Sequence, residues 1–474
     1  MQRSFLCILV AAAVANAAAA ENAAVTICRA DNDALFDSGS SPVGDGYAIM
    51  HEQRALKLAG GREAVVVGGL PATLDAEAVS IDLGAGARVL AQRVLSTSEG
   101  GMLAAHRGEQ VWIGRGAAGL TGTLLGLDNG ALIVKSDTGL VYVREYDTLR
   151  FTQQDAGMPG STLQLTVDGK PGDVDATLTY PTAGLGWRAA YSALLLDGAA
   201  CRMRLDALAS IANRSGRDYD GAMLKLIAGS PNTGRIAPHP AMYKAMAAAP
   251  APAAPEALPE QSAFGDYRSY AIDGALDLPN ASVTQVPLYA ASELDCERHW
   301  TFESGGAWFP PKPITNADYS GTSSGPVLSE LRFKTSENLP AGNLRVLTRD
   351  RDGRIEFLGQ ARIADTQKGR PVPVALGSAF DLSARRERTA FNIDKAAREM
   401  TEGFRITLSN TGEVERTIRV REHPNRWRGW TLVSSSRKPS EQKPDLLAFE
   451  VPVPANGEAT LDYVVKYAWT PKDE

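Results

Sequence analysis

Chemistry in this chain would first be sought among five histidines and two glycine-rich phrases. His51, His106, His239, His299 and His423 make no H-x-H or H-E-x-x-H spacing. Closely spaced imidazoles are what hold zinc or iron, so no metal site is expected. Gly114-Arg115-Gly116-Ala117-Ala118-Gly119 has the spacing of a dinucleotide-binding loop and follows the strand-like Val111-Trp112-Ile113. Such a loop needs a helix next, whose N-terminal amides meet the pyrophosphate. Leu120-Thr121-Gly122 and a hairpin signal come instead, so the phrase reads as a chance match and no cofactor is expected. Gly321-Thr322-Ser323-Ser324-Gly325 matches the nucleophile elbow, which sits between a buried strand and a helix. Here Asn316-Ala317-Asp318-Tyr319 precedes it and Pro326 leads on into a strand, which reads as a surface loop. Asp350-Arg351-Asp352-Gly353 begins like a calcium loop, lacks the later ligands, and reads as a hairpin turn. No catalytic residue is assigned. Paired carboxylates for glycoside hydrolysis stay as the enzymatic alternative, because their separation is set in three dimensions.

The most functional-looking stretch is basic and aromatic. Arg416, Arg419, Arg421, Arg426 and Arg428 interleave with Trp427 and Trp430, and Arg385, Arg386 and Arg388 form a second cluster. Arg419 and Arg421 alternate with Ile418 and Val420, so one account is a strand with a solvated face. The sharper account is a groove for an anionic envelope polymer. Guanidinium forks grip carboxylate or phosphate, and indole faces stack on sugars. The candidate ligand-binding residues are Arg419, Arg421, Arg426, Trp427, Arg428 and Trp430.

The elements that must position these residues are mostly strands. Runs of period two recur at 131–135, 140–144, 162–167, 176–180, 202–211, 343–348, 355–358, 404–409, 417–421 and 459–467. Asp128-Asn129-Gly130, Asp137-Thr138-Gly139, Asp352-Gly353 and Asn410-Thr411-Gly412 punctuate them as hairpins. Residues 114–151 look like a small SH3-like barrel. Helix signals are poor: residues 51–58 alternate, and 394–401, with Asp394 as N-cap, is the better candidate. No repeat of fixed period is visible. The expected fold is all-β, several β-sandwich modules with very little helix.

Composition agrees. The 474 residues are 44% hydrophobic and 22% charged, with 45 Gly and 27 Pro, which excludes disorder and a polytopic membrane protein. A net charge of −6 argues against nucleic acid as a partner. Met1-Gln2-Arg3, an apolar run over 4–15 and Asn16-Ala17-Ala18-Ala19-Ala20 form a secretory signal peptide, with cleavage best placed after Ala20. A periplasmic or secreted location follows, with no integral membrane segment after cleavage. Cleavage removes Cys7 and leaves Cys28, Cys201 and Cys296, an odd number that permits one disulfide. Three pairings are open. Cys201–Cys296 is favoured because Cys28 sits in the apolar Val25-Thr26-Ile27-Cys28. Residues 245–259, within an Ala/Pro-rich stretch, read as an extended linker between an N-terminal and a C-terminal region. The expected division is signal peptide 1–20, β domain 21–110, hairpin module 111–155, sandwich segment 156–229, linker 230–264, sandwich segment 265–384 and Ig-like sandwich 385–474.

Several phrases resemble a known bacterial family. Gly186-Trp187-Arg188-Ala189-Ala190-Tyr191 is similar to its W-x-x-x-Y strand. The eleven residues from Ala209 to Tyr219, ending Asn213-Arg214-Ser215-Gly216-Arg217-Asp218-Tyr219, resemble its A-x-x-x-N-x-(S/T)-G-x-D-(W/Y) block. Leu278-Pro279-Asn280, Val286-Pro287-Leu288, Leu339-Pro340-Ala341-Gly342, Phe357-Leu358-Gly359 and Leu376-Gly377 with Phe380-Asp381 follow in order. The chain thus resembles secreted bacterial proteins with domain of unknown function 4139, the mucoidy-inhibitor-A-like group. That resemblance implies a β-rich envelope protein and carries no catalytic residues. Many members have a helical coiled-coil insert in the N-terminal half, which this sequence lacks. Read on its own, the block is structural: Asn213, Ser215 and Gly216 suit a tight turn, Asp218 bonds turn amides and Tyr219 packs beneath. Trp187 and Tyr191 share a strand face and read as packing. The expected function is non-enzymatic binding or assembly in the envelope, with a protein partner or an anionic polysaccharide.

Overall fold

The computed structural model describes residues 23–39, 41–95, 103, 107–115, 118–128, 130–151, 160–198, 200–229, 260–306, 308–319 and 321–473. The expected signal peptide lies outside them, as do residues 230–259, His106 and His239. The fold is all-β. Its N-terminal strands are β1 (Ala24–Cys28), β2 (Ala48–Leu58), β3 (Gly61–Leu70), β4 (Ser80–Asp82) and β5 (Ala87–Leu95). A meander follows, β6 (Gln110–Arg115), β7 (Ala118–Asp128), β8 (Ala131–Ser136), β9 (Gly139–Val143) and β10 (Thr148–Phe151). Next come β11 (Ser161–Gly169), β12 (Gly172–Thr182), β13 (Leu185–Leu195), β14 (Arg202–Asn213) and β15 (Tyr219–Ala228). After residues 230–259 the chain forms β16 (Glu260–Phe264), β17 (Tyr267–Leu278) and the long β18 (Ser282–Ser304). The remainder is β19 (Ser323–Lys334), β20 (Gly342–Arg349), β21 (Ile355–Ile363), β22 (Pro371–Asp394) and β23 (Glu399–Asn410). It ends with β24 (Arg416–Glu422), β25 (Trp430–Ser435), β26 (Glu441–Lys443), β27 (Leu446–Val453) and β28 (Gly457–Ala468).

The chain divides into two compact units, Met1–Ala189 with Leu208–Ala290, and Ala190–Ala207 with Ala291–Glu474. Unit 1 holds three sheets, ordered β16-β17-β15-β1-β2-β12-β4, β3-β11-β5 and β10-β6-β7-β8-β9. The last is the expected small hairpin module, closed around Leu103, Val111, Ile113, Leu124, Leu132 and Val134. Unit 2 packs β22, β23 and β28 against β24 and β27 over one core. Phe404, Ile406, Leu408, Ile418, Val420, Phe449, Val451 and Leu461 are all buried there. Each such side chain contributes ~1.5–3 kcal/mol on burial, against ~0–1 for an exposed ion pair, so apolar faces hold the layers together.

Three expectations are corrected. The candidate helix at 394–401 does not form. Asp394 Oδ1 does accept from the Ala396 and Ala397 amides, both at 2.9 Å, but this caps only a turn. Met400 must enter the core as part of β23, and strand alternation takes over. The Ala/Pro-rich stretch does not divide two domains: β15 and β17 on either side of it are antiparallel neighbours in one sheet, and residues 260–264 are strand β16. Finally, the division placed at residue 385 falls inside β22.

A repeat is also present, although no fixed period was visible in the sequence. In unit 1, β13 pairs β14, β14 pairs β18, and β15 lies parallel to β1 and antiparallel to β17, which pairs β16. In unit 2, β22 pairs β23, β23 pairs β28, and β24 lies parallel to β18 and antiparallel to β27, which pairs β26. The six-strand arrangement therefore occurs twice. Asn410-Thr411-Gly412 is consequently not a hairpin, since β24 pairs with β18 and β27 and not with β23.

Candidate functional site

The two phrases that mimic catalytic motifs have packing explanations. Gly114 pairs with Gly119, and Arg115 with Ala118, in the β6–β7 hairpin, so β7 stands where a dinucleotide loop needs a helix. The glycines make room for an indole: a Cβ on Gly119 would lie 2.5 Å from Trp112 Cζ2. Gly119→Ala is therefore expected to cost ~1–3 kcal/mol of overpacking strain, checked by thermal unfolding of the chain. An unchanged melting temperature would count against this account. Ser323 and Ser324 open strand β19 rather than lying in a surface loop or an elbow.

Ser324 does line an open groove of about 610 Å³ on unit 2, with Ser383, Arg385, Glu387, Thr407, Ser409 and Glu458. Arg385 pairs with Glu387 at 2.6 Å, and Ser409 Oγ donates to Glu458 at 2.8 Å. The carboxyl pushed above its usual range lies elsewhere. Burial raises Glu422, which is 1% exposed and pulled back down by Arg386 at 2.8 Å and by the Tyr463 hydroxyl. Unit 1 has a matching buried knot, where Glu52 accepts from Tyr180 at 2.7 Å, Arg217 at 2.6 Å and Arg54 at 2.6 Å. Burial there pushes the Tyr180 phenol well up and Tyr219 to about 12. Among the described residues no group of three or more His, Cys, Asp or Glu side chains is placed to hold a metal ion. No helix of the described residues is long and apolar enough to cross a membrane.

The basic and aromatic candidates separate. Arg426 is 0% exposed and Trp427 2%, so both leave the candidate surface. Arg426 Nε pairs with buried Glu402 at 2.8 Å, while its Nη1 donates to the Ile314 and Asn316 carbonyls at 2.8 and 2.7 Å. It thereby pins the long loop 305–322 instead of facing a ligand. That loop presents Trp308, half exposed, which the sequence reading did not single out. Arg419 is paired with Glu441 and Glu450, Arg421 with Glu303, and Arg428 with Asp473. Trp430 is half-buried and its indole donates to the Pro444 carbonyl at 2.6 Å. Arg386 is buried against Phe404, its guanidinium carbon 3.6 Å from the ring centre.

The turn block is tied together by short hydrogen bonds. Asn213 Nδ2 donates to the Arg217 and Leu278 carbonyls at 2.7 Å each, and its Oδ1 accepts from the Ser215 amide at 3.1 Å. Gly216 takes φ +84, and its amide meets Asn280 Oδ1, while Asp218 accepts from the Asn280 amide. Trp187 is buried and donates to the Ile227 carbonyl, and Tyr191 donates to the Pro340 carbonyl. Asn410 repeats the pattern in unit 2. Its Nδ2 reaches the Val414 and Val453 carbonyls at 2.9 and 3.3 Å, and its Oδ1 takes the Gly412 amide at 3.0 Å. Each knot holds the end of a strand that a proline follows, Leu278-Pro279 and Val453-Pro454. Of the three cysteine pairings left open by the sequence, the structure has Cys201–Cys296, within unit 2. Cys28 is buried and free, and burial pushes its thiol to about 11.

Large apolar side chains stand exposed on unit 2. Phe380 is 101% exposed, and Phe357 at 62%, Val433 at 58%, Val414 at 56%, Ile355 at 53% and Leu328 at 50% are also exposed on that unit. A wide bulge produces the first of these. The β19–β22 ladder steps from Leu328↔Ser378 to Pro326↔Ser383, so residues 379–382 stand opposite Val327 alone. No curated protein matches the chain. A family model described as Domain of unknown function (DUF4139) matches residues 176–471, which takes in both six-strand arrangements, and the chain belongs to that family.

Proposed function

We propose that the protein is a non-enzymatic component of the cell envelope that acts by binding, with unit 2 as its contact surface. The observation that carries this reading is the set of large apolar side chains, Phe380 above all, left exposed on a unit with a complete core of its own. Exposed apolar patches mark interaction surfaces. Residues 1–20 and the Cys201–Cys296 disulfide support an exported, oxidising location. A protein partner fits the surface better than an anionic polysaccharide, because Arg419, Arg421 and Arg428 already face carboxylates of this chain.

The alternative is an enzyme acting on envelope polysaccharide, and the open groove with Glu387 and Glu458 is where it would work. One experiment separates the two. Purified chain is incubated with envelope fractions and isolated envelope polysaccharide, and retention and released reducing sugar are read together. Retention without release is the expected result. Sugar release abolished by Glu387→Gln or Glu458→Gln would replace the binding reading with the enzymatic one.

A further inference from the structure

The two copies of the six-strand arrangement differ at one end, and the difference rests on the binding reading while naming its partner. Their correspondence is fixed by matching bonds: Arg214 N–H donates to the Gly184 carbonyl in unit 1, and Thr411 N–H to the Asp381 carbonyl in unit 2. Ala183 therefore corresponds to Phe380, and Ser215 to Gly412. In unit 1 this end is covered. Val43 N–H donates to the Arg214 carbonyl at 3.0 Å, and Ala72 N–H to the Ser215 carbonyl at 3.0 Å. Thr73 exchanges bonds with Ala183, its carbonyl taking the Ala183 amide at 3.1 Å and its hydroxyl donating back at 2.8 Å. Gly184 N–H reaches the Asp45 carbonyl at 2.7 Å. Both covering segments lie outside the strands and carry a proline, Ser41-Pro42-Val43 and the turn Pro71-Ala72-Thr73, closed by Leu74 N–H on the Pro71 carbonyl at 3.3 Å. They press close: a Cβ on Gly216 would sit 3.3 Å from Ala72 Cβ and 3.4 Å from Pro42 Cγ. Beneath them Ala183, Gly184, Arg214 and Ser215 are all buried.

In unit 2 no described segment takes the place of 41–46 or 71–74 on this end, and the Gly412 carbonyl takes the Asn456 amide at 3.0 Å. Phe380, Asp381 and Thr411 are exposed, and the strand ladders give residues 379–381 no partner on β19 or β23. Asp381 follows Phe380 in the chain, Glu413 and Glu415 flank Val414, and the segments 376–383, 410–415 and 454–458 contain no Lys or Arg. We infer that the uncovered end of unit 2 receives a proline-bearing, basic peptide segment of a partner protein. It lies there as residues 41–46 and 71–74 lie on unit 1. Backbone bonds to the bulge would give affinity, Phe380 an apolar anchor, and the acidic rim a preference for Lys or Arg in the partner.

The test is selection of a phage-displayed random dodecapeptide library on the immobilised full chain, repeated on Phe380→Asp and Val414→Asp. Both side chains are exposed, so each variant should melt within about 2 °C of the parent. Enriched peptides should combine proline with Lys or Arg, and Phe380→Asp should weaken their binding at least about ten-fold. The inference is overturned by no enrichment, by enriched peptides without those residues, or by variants that bind the enriched peptides as tightly as the parent does. A concentration-dependent dimer broken by Phe380→Asp would also overturn it, because the occupant would then be a second copy. Envelope retention that survives Phe380→Asp would remove this inference and leave the binding reading standing, whereas loss of envelope retention by the parent chain removes both.

Discussion

Arg386→Met is expected to lower the stability of the C-terminal unit by ~3–5 kcal/mol at pH 7, and by less at pH 5. The size follows from stranding a buried carboxylate without its cation. The pH dependence follows from Glu422, whose pKa burial already raises in the folded chain and which Arg386 pulls back down. A carboxyl with a raised folded pKa contributes its full stability below the unfolded value, and loses it as pH climbs through the folded value. Removing Arg386 moves that folded value higher, so the variant loses stability over a longer climb than the parent. Urea unfolding at pH 5 and pH 7 reads both quantities. A deficit equal at the two pH values would mean that Glu422 is not the group left exposed to the loss.

The second large effect is expected at Arg426. Arg426→Met should cost ~3–5 kcal/mol, because Glu402 at 1% exposure loses the guanidinium at 2.8 Å. It should also speed hydrogen exchange across residues 305–322, whose Ile314 and Asn316 carbonyls lose their donor. Adding Glu402→Gln should return part of the loss, since the pair is coupled and the sum of single effects overcounts it. By contrast Arg419→Ala with Arg421→Ala should cost ~1 kcal/mol or less for each partly exposed pair. If Arg426→Met unfolds like the parent, the loop has another anchor and the residue returns to the candidate surface.

How much of this was legible follows from what each residue type signals. The all-β fold was plain because apolar residues recur every second position, as in β11 and β28. Turns such as Asp137-Thr138-Gly139 and Asp352-Gly353 named their hairpins correctly because few residues separate the paired strands, two in the first and five in the second. Asn410-Thr411-Gly412 misled for the same reason: the turn chemistry is local, and which sheet the next strand joins is not. The repeat was hidden because only the Asn turns recur. Trp187 and Tyr191 correspond to Ala384 and Arg388, so the cores under the two turns were filled by different side chains.

Burial of Arg426 left no signal, since arginine in a strand-rich segment ordinarily faces water. Phe380 and Leu382 share a parity, which by strand alternation alone would place them on one face. The bulge rotates the chain between them, leaving Leu382 at 5% and Phe380 fully exposed.

The three crossings between units have a consequence for how the molecule comes apart. β13, β14 and β18 each begin in one unit and end in the other, so no single cut frees either unit. A nick within residues 230–259 falls between Cys201 and Cys296, and the disulfide keeps the fragments one covalent molecule. Each fragment would then hold strands of both units and depend on the other to complete them. Loss of one half through protease trimming is thereby closed off by connectivity, and only unfolding of the whole chain, with reduction, separates its parts.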